Sequence, residues 1–291
     1  MVRIHKRKTS DGFSRTLILF CILSLVFVAF LWLIRGSVDP PVRQSNSNRN
    51  GNLRIQDHGQ STKTAPQCYT SIQQLSPSER FPVAGPRHQV TPPKGGPLTL
   101  VCCETTQGPW SIAVHTKWAP LGAERFLQMV RANYFSNKVP LFRCIQNFLC
   151  QFGLAGPPSK EFDQRMPDDP QWLPAGPKSR VNDNGVKRFA HGYLSYAGAG
   201  PNTRGVQLFV ALAANGGLGG GSPWEVPWGE LVGDHSYTTL ARISTAYGEN
   251  GPSQGRLRRE GASKAVAQEF PLMDYVLSCK VVDEVVDVVN P

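Results

Sequence analysis

One stretch removes itself from any soluble core. Thr16 to Ile34 reads TLILFCILSLVFVAFLWLI, with no charge and only Thr16 and Ser24 breaking its apolar character. About 19 residues of helix span roughly 28 Å, close to the thickness of a bilayer's hydrocarbon core. Such a helix is apolar on every face, which a soluble surface helix is not. It is longer than a typical secretory h-region, and no A-x-A-like cleavage site follows it. Arg3, Lys6, Arg7, Lys8 and Arg15 precede it, opposed by Asp11, and Arg35 and Arg43 follow. The denser positive charge predicts a cytosolic N-terminus. The expectation is a single-pass type II protein: a basic cytosolic tail at 1–15, a transmembrane signal anchor at 16–35, and the rest facing the lumen of the secretory pathway or the exterior. A cleaved signal peptide is the alternative. In a host with complex plastids the same N-terminus would open a bipartite targeting signal.

The next stretch, 36–95, is rich in Ser, Asn, Gln and Pro, and QSNSNRNGN at Gln44 to Asn52 holds no apolar residue. It cannot bury enough surface to offset its ordering entropy. It reads as a flexible stalk with a short ordered piece near Cys68 to Leu75. The folded domain is expected at 96–291. The chain of 291 residues carries a net charge of +10, but much of that charge sits in the first fifteen residues and in scattered loops. No zinc-finger, basic-zipper or aromatic RNA-binding pattern accompanies it, so nucleic acid is not the expected partner.

Within 96–291, 28 Gly and 24 Pro across the whole chain favour turns over long helices. LTLVCCET, WSIAVH, LFRCIQNFLCQ, GYLSYAG, VQLFVAL, WGELVG and a segment around Tyr275 to Val282 read as strands. APLGAERFLQMVRANYF has helical spacing, with Pro120 suited to a first turn and Phe126, Met129 and Val130 on one face. SYTTLARISTAY reads as a second helix. Arg256 to Pro271 suggests a further short amphipathic helix that packs on the domain. Many short strands with two helices indicate an antiparallel barrel or sandwich.

Seven cysteines occur, of which Cys21 lies in the apolar run. The other six would meet an oxidising compartment, where disulfides are permitted. Cys102 or Cys103 is expected to pair with Cys279, and Cys144 and Cys150 read as small buried apolar residues. No zinc-site spacing, HExxH or Asn-x-Ser/Thr sequon is present, so neither metal nor N-glycan is expected.

One residue resists a bland reading. Arg143 stands among large apolar side chains in LFRCIQNFLCQ and cannot shed its charge. Alone it suits an exposed position on an edge strand. FRCIQNFLCQ and SYAGAGPNTRGVQLFV together change that. The pair resembles the cyclophilin family of peptidyl-prolyl isomerases (rotamases), whose pattern is F-H-R-x-I-x-x-F-x-x-Q followed some fifty residues later by S-M-A-x-x-x-P-N-x-x-x-S-Q-F-F. APLGAERF is similar to the family's V-P-x-T-x-x-N-F. The resemblance runs from about Leu98 to Val282 and omits the anchor and stalk.

The resemblance implies a mostly-β fold, a closed eight-stranded antiparallel cyclophilin-like barrel with a helix capping each end and the site on its outer face. It implies a monomeric catalytic domain, Pro-containing peptides or protein clients as partners, and no cofactor. Arg143 would donate to the twisted prolyl nitrogen. Gln151 would hold that guanidinium or the substrate carbonyl. Phe148, Leu149 and Phe209 would form an apolar floor, the backbone of Gly198 and Ala199 would pair with an extended peptide, and Gln207 would bond its backbone. The departures are also specific. Phe142, expected to line the substrate groove, replaces the family His, Gly198 an Asn, and Leu208 a Phe. Leu218 falls where the family has its bordering Trp, Glu225 where it has a later His, and Trp224 is placed to replace the lost indole. Reduced turnover and altered peptide preference are expected.

Two other classes compete. A catalytically silent module would bind Pro-containing segments in the same groove, as the changes at Phe142, Leu218 and Glu225 suggest. The topology also suits Golgi-type glycosyltransferases, but no Asp-x-Asp and no repeated βα pattern occurs. No Gly-x-Ser-x-Gly marks a nucleophilic hydrolase.

Overall fold

A computed structural model describes residues 66–176, 185–219 and 222–286. The chain divides into two units, Met1–Ser61 and Thr62–Pro291, and every described residue belongs to the second. The expected cytosolic tail, the anchor at 16–35 and the first half of the stalk lie outside the described residues. Among the described residues, no helix is long and apolar enough to cross a membrane.

Among the described residues, nine strands make one curled antiparallel sheet: β1 (Leu98–Thr105), β2 (Gly108–His115), β3 (Val139–Pro140), β4 (Arg143–Ile145), β5 (Leu149–Phe152), β6 (Tyr193–Tyr196), β7 (Leu208–Ala211), β8 (Gly229–Val232) and β9 (Tyr275–Val285). Their order is β3-β9-β1-β2-β8-β6-β7-β5-β4. Eight strands were expected; the ninth arises because one is interrupted. β3 pairs with β9 on one edge and β4 with β5 on the other. Between them, Leu141 N donates to Asp274 O at 2.9 Å and Phe142 N to Gln151 O at 3.0 Å. Consecutive residues thus bridge the two edges of the sheet.

Strand alternation sorts side chains into two apolar sets. Cys150, Phe152, Leu194, Tyr196, Leu208 and Val210 belong to the interior cluster. Leu149, Tyr193, Phe209 and Ala211, one residue out of phase, belong to a second cluster on the outer face.

The described α-helices number six: α1 (Pro77–Arg80), α2 (Pro120–Arg131), α3 (Ser159–Phe162), α4 (Asp234–Leu240), α5 (Gln254–Glu260) and α6 (Lys264–Glu269). α2 buries Phe126, Met129 and Val130 as its spacing predicts, and Pro120 opens it. Its first free N–H groups, on Leu121 and Gly122, donate to the buried Asp169 carboxylate, which also pairs with Arg204 at 2.8 Å. The helix expected over SYTTLARISTAY stops at Leu240. The one expected within Arg256 to Pro271 is broken at Gly261, whose φ of +55° puts it in the left-handed region. The halves, α5 and α6, each anchor one fully buried residue, Leu257 and Val266, in the interior cluster.

Residues 66–95, expected to belong to the stalk, pack on the sheet as a strap. The ordered piece around Cys68 to Leu75 is present and continues. Cys68 is disulfide-bonded to Cys102 of β1. Ile72 and Leu75 are buried against Leu98, Leu100 and Val232. Asp283 accepts from Ile72 N at 2.8 Å, and this bond, with those from Ser71 and Glu284, holds its carboxyl below the usual range against the opposing effect of burial. Glu79 accepts from Gly233 N at 2.7 Å. Sparse apolar residues supply the anchors, so hydropathy alone hides the strap.

The strap ends on a buried carboxylate. Glu230 of β8 is fully buried, with Arg87 Nη2 at 3.0 Å and His88 Nε2 and His115 Nε2 each at 3.5 Å. Burial pushes its pKa up, but His115, Arg87 and His88 together overcome that and hold it below the usual carboxylate range. Burial lowers His88, whose Nδ1 lies 2.7 Å from the Tyr193 hydroxyl.

Candidate functional site

The hairpin β4–β5 turns through Gln146 and Asn147, and Asn147 takes the left-handed conformation (φ 57°) that Asn tolerates. This turn fixes the register Arg143↔Gln151, Cys144↔Cys150 and Ile145↔Leu149. β5 then sets Gln151 opposite Phe209, and β6 sets Ser195 opposite Phe209. Directly opposed residues share a face. Arg143, Gln151 and Phe209 therefore form one row across the outer surface.

Arg143 is held on two sides. Its Nη1 donates to Gln151 Oε1 at 3.0 Å. Its Nε and Nη2 donate to the two carboxylate oxygens of Glu249, at 2.6 and 2.7 Å. The sequence gives no sign of Glu249, which lies 106 positions away in a turn and belongs to no motif quoted above. One rung from the arginine, Cys144 and Cys150 are joined as a disulfide, where two independent small core residues were expected. They are buried and directly opposed, which places the thiols together. The third bond joins Cys103 to Cys279, choosing between the two partners considered for Cys279.

The expected apolar floor is brought together. Phe148, Leu149, Phe209 and Leu218 share the outer cluster with Leu173 and Phe189, and Phe189 stacks on Phe209 with ring centroids 5.6 Å apart. Their exposures are low: 9% for Phe148, 4% for Leu149, 3% for Leu218 and 1% for Phe209. The floor is thus nearly closed, with Phe148 its most accessible member. Phe189 was not anticipated; it sits in a strongly mixed stretch with no periodic signal.

Phe142 is placed elsewhere. As Arg143's neighbour it alternates to the opposite face and is buried in the interior cluster, so it does not line the groove. Period-two alternation alone predicts this.

Beside the row lies a cleft of about 540 Å³, lined by Gln151, Ala197, Gly198, Ala199, Thr203 and Gln207. Asp163 and Arg165, and Gln254 and Arg258 at α5, also line it. Gln207 O accepts from Ala197 N, and Thr203 Oγ1 accepts from Ala199 N at 2.8 Å. The change to Gly198 has a steric reason. A Cβ there would stand 2.6 Å from Trp224 Cδ1, so the indole occupies the space a side chain would fill. Trp224 therefore packs against Gly198, and the cleft's lining residues do not include it. Glu225 instead accepts from Gly219 N at 2.8 Å and ties down the glycine-rich turn.

This arrangement sets a permanent cation in one row with Gln151 and the buried Phe209, beside the cleft. Residues 100–260 match the family model described as cyclophilin type peptidyl-prolyl cis-trans isomerase/CLD. Peptidyl-prolyl cis-trans isomerase-like 1 of Gibberella zeae is 29% identical over 191 residues, covering 64% of this chain and 96% of that protein. Peptidyl-prolyl cis-trans isomerase CYP18-2 of Arabidopsis thaliana is 32% identical over 135 residues, covering 44% of this chain and 72% of that protein. Among solved structures, a cyclophilin type peptidyl-prolyl cis-trans isomerase of Cryptosporidium parvum aligns at 16% identity with a TM-score of 0.41, covering 67% of this chain and 99% of that one.

Proposed function

This chain belongs to the cyclophilin-type peptidyl-prolyl cis-trans isomerase family, and we propose that it isomerises Xaa-Pro bonds on the outer face of its sheet with Arg143 as the catalytic donor. The observation that carries the reading is the guanidinium fixed in one row with Gln151 and Phe209.

Rotation about an Xaa-Pro amide is opposed by a barrier of about 18–20 kcal/mol and takes tens of seconds or more unaided. In the twisted state the prolyl nitrogen loses resonance and gains lone-pair character. A fixed cationic donor stabilises that state more than either planar one, with no covalent step. Arg143 supplies the donor and Gln151 steadies it. Phe148, Leu149, Phe209 and Leu218 receive the pyrrolidine ring. Gly198 and Ala199 align the peptide as an added extended segment, Gln207 bonds its backbone, and Trp224 borders it. Clients are Pro-containing proteins. The uncharged run and its basic flank support anchoring through 16–35 with this domain in the lumen, as do the three disulfides.

A second reading, a silent binder of Pro-containing segments, is favoured by the near-closed floor, where no side chain exceeds 9% exposure. Protease-coupled isomerisation of short Ala-Pro peptides by the full chain, with the residue before proline varied, separates the two. Acceleration is expected. Saturable peptide binding by a folded chain without acceleration would sink the enzyme reading for these peptides.

A further inference from the structure

We propose that Glu249 is a positioning residue for Arg143, an acidic brace that presents the guanidinium to the prolyl amide. The inference rests on the reading of Arg143 as the catalytic donor.

A guanidinium has five N–H groups. Glu249 takes the one on Nε and one on Nη2, and Gln151 takes one on Nη1. One N–H remains on each terminal nitrogen. The brace therefore leaves donors for substrate while fixing the plane that carries them. An unbraced arginine would have to lose rotamer freedom to reach one geometry. The two-point pairing with a carboxylate is the arrangement that constrains it most.

The turn bearing Glu249 is itself built against the hairpin. Gly251 seats on the Phe142 carbonyl, the residue before Arg143, where an added Cβ would stand 2.1 Å from that oxygen. Asn250 N donates to Tyr247 O at 2.7 Å, closing the turn. The Tyr247 ring packs edge-on against Phe270, with centroids 5.2 Å apart, and its hydroxyl accepts from Leu272 N at 3.1 Å. The carboxylate thus comes from a fixed frame that touches the strand it braces. Glu249 keeps 57% of its side chain exposed, against 22% for Arg143. Solvent screening at that exposure limits how far the carboxylate weakens the arginine's charge. Orientation is then the larger effect, and losing Glu249 slows turnover.

The test measures kcat and KM for an Ala-Pro peptide with the full chain: wild type, Glu249→Gln, Glu249→Ala, Arg143→Ala and the double variant Arg143→Ala/Glu249→Ala. Glu284→Gln breaks another surface ion pair, Arg131–Glu284, and serves as the control. The expected order of kcat is wild type, then Glu249→Gln, then Glu249→Ala, the last about tenfold down, with KM within about twofold and melting unchanged. In the Arg143→Ala background, Glu249→Ala is expected to do nothing further, since the brace acts only through the arginine. If Arg143→Ala is slow while both Glu249 variants match or exceed wild type, the brace is overturned and the arginine's role stands. An equal loss from Glu249→Ala with or without Arg143 also overturns it. If Arg143→Ala keeps full activity, the parent reading falls, and the brace with it.

Discussion

Two clusters in this molecule gather the same chemistry, an arginine against a carboxylate, in opposite settings. At Glu230 the carboxylate is fully buried and ringed by Arg87, His88 and His115. At Arg143 the pair lies on the outer face, with Glu249 more than half exposed. The first fastens the strap to β8; the second orients one side chain over a groove. Burial makes the difference. A charge without water must be matched on every side, and removing one partner leaves the others uncompensated. A solvent-exposed pair costs little to break, so its contribution is geometric.

The largest expected effect breaks the buried cluster. Glu230→Ala leaves an arginine beside an emptied site and is expected to destabilise the fold by about 3–5 kcal/mol. Denaturant titration of the full chain measures this. A loss below about 1 kcal/mol would erase the contrast between the clusters. Next comes steric wall placement. Gly198→Asn puts a Cβ into the Trp224 indole, and the overpacking is expected to cost about 1–3 kcal/mol with a shift in tryptophan emission. Unaltered emission and stability would show that the indole does not cover Gly198.

Acid sharpens the comparison further. Burial lowers His88, His191 and His235 from the ordinary 6.5, so the unfolded chain binds protons first as pH falls. Their contribution is complete above about 6.5 and is lost below it. Glu230, held below the ordinary 4.5, adds stability above that value that disappears as pH falls through its lower folded pKa. The melting temperature is expected to decline below pH 6.5 and again below 4.5. A flat profile from pH 7.5 to 5 would remove the histidines from the account.

The outer site was far more legible in the sequence than the strap. Arg143, Gln151 and Phe209 lie in short motifs whose tight turn and strand pairing set them in one row. The floor residues Phe148, Leu149 and Phe209 came from the resemblance, and the strand pairing sets Leu149 and Phe209 on the outer face. Phe142 was misplaced because the motif comparison outweighed the alternation that turns it inward. The strap was hidden because its anchors are few and far apart in polar sequence: Cys68, Ile72, Leu75, Glu79, Arg87 and His88. Glu249 and Glu230 were invisible for a related reason. Each acts through partners about a hundred positions or more away; Glu249 lies in a turn, and the strand WGELVG that holds Glu230 carries no sign that its carboxylate is buried and paired.

The most direct measurement compares wild type with Arg143→Ala for both isomerisation rate and melting. The account predicts a rate at least about tenfold lower, equal to about 1.4 kcal/mol on the barrier, with a melting temperature within about 2 °C. Undiminished acceleration by the folded variant would contradict it.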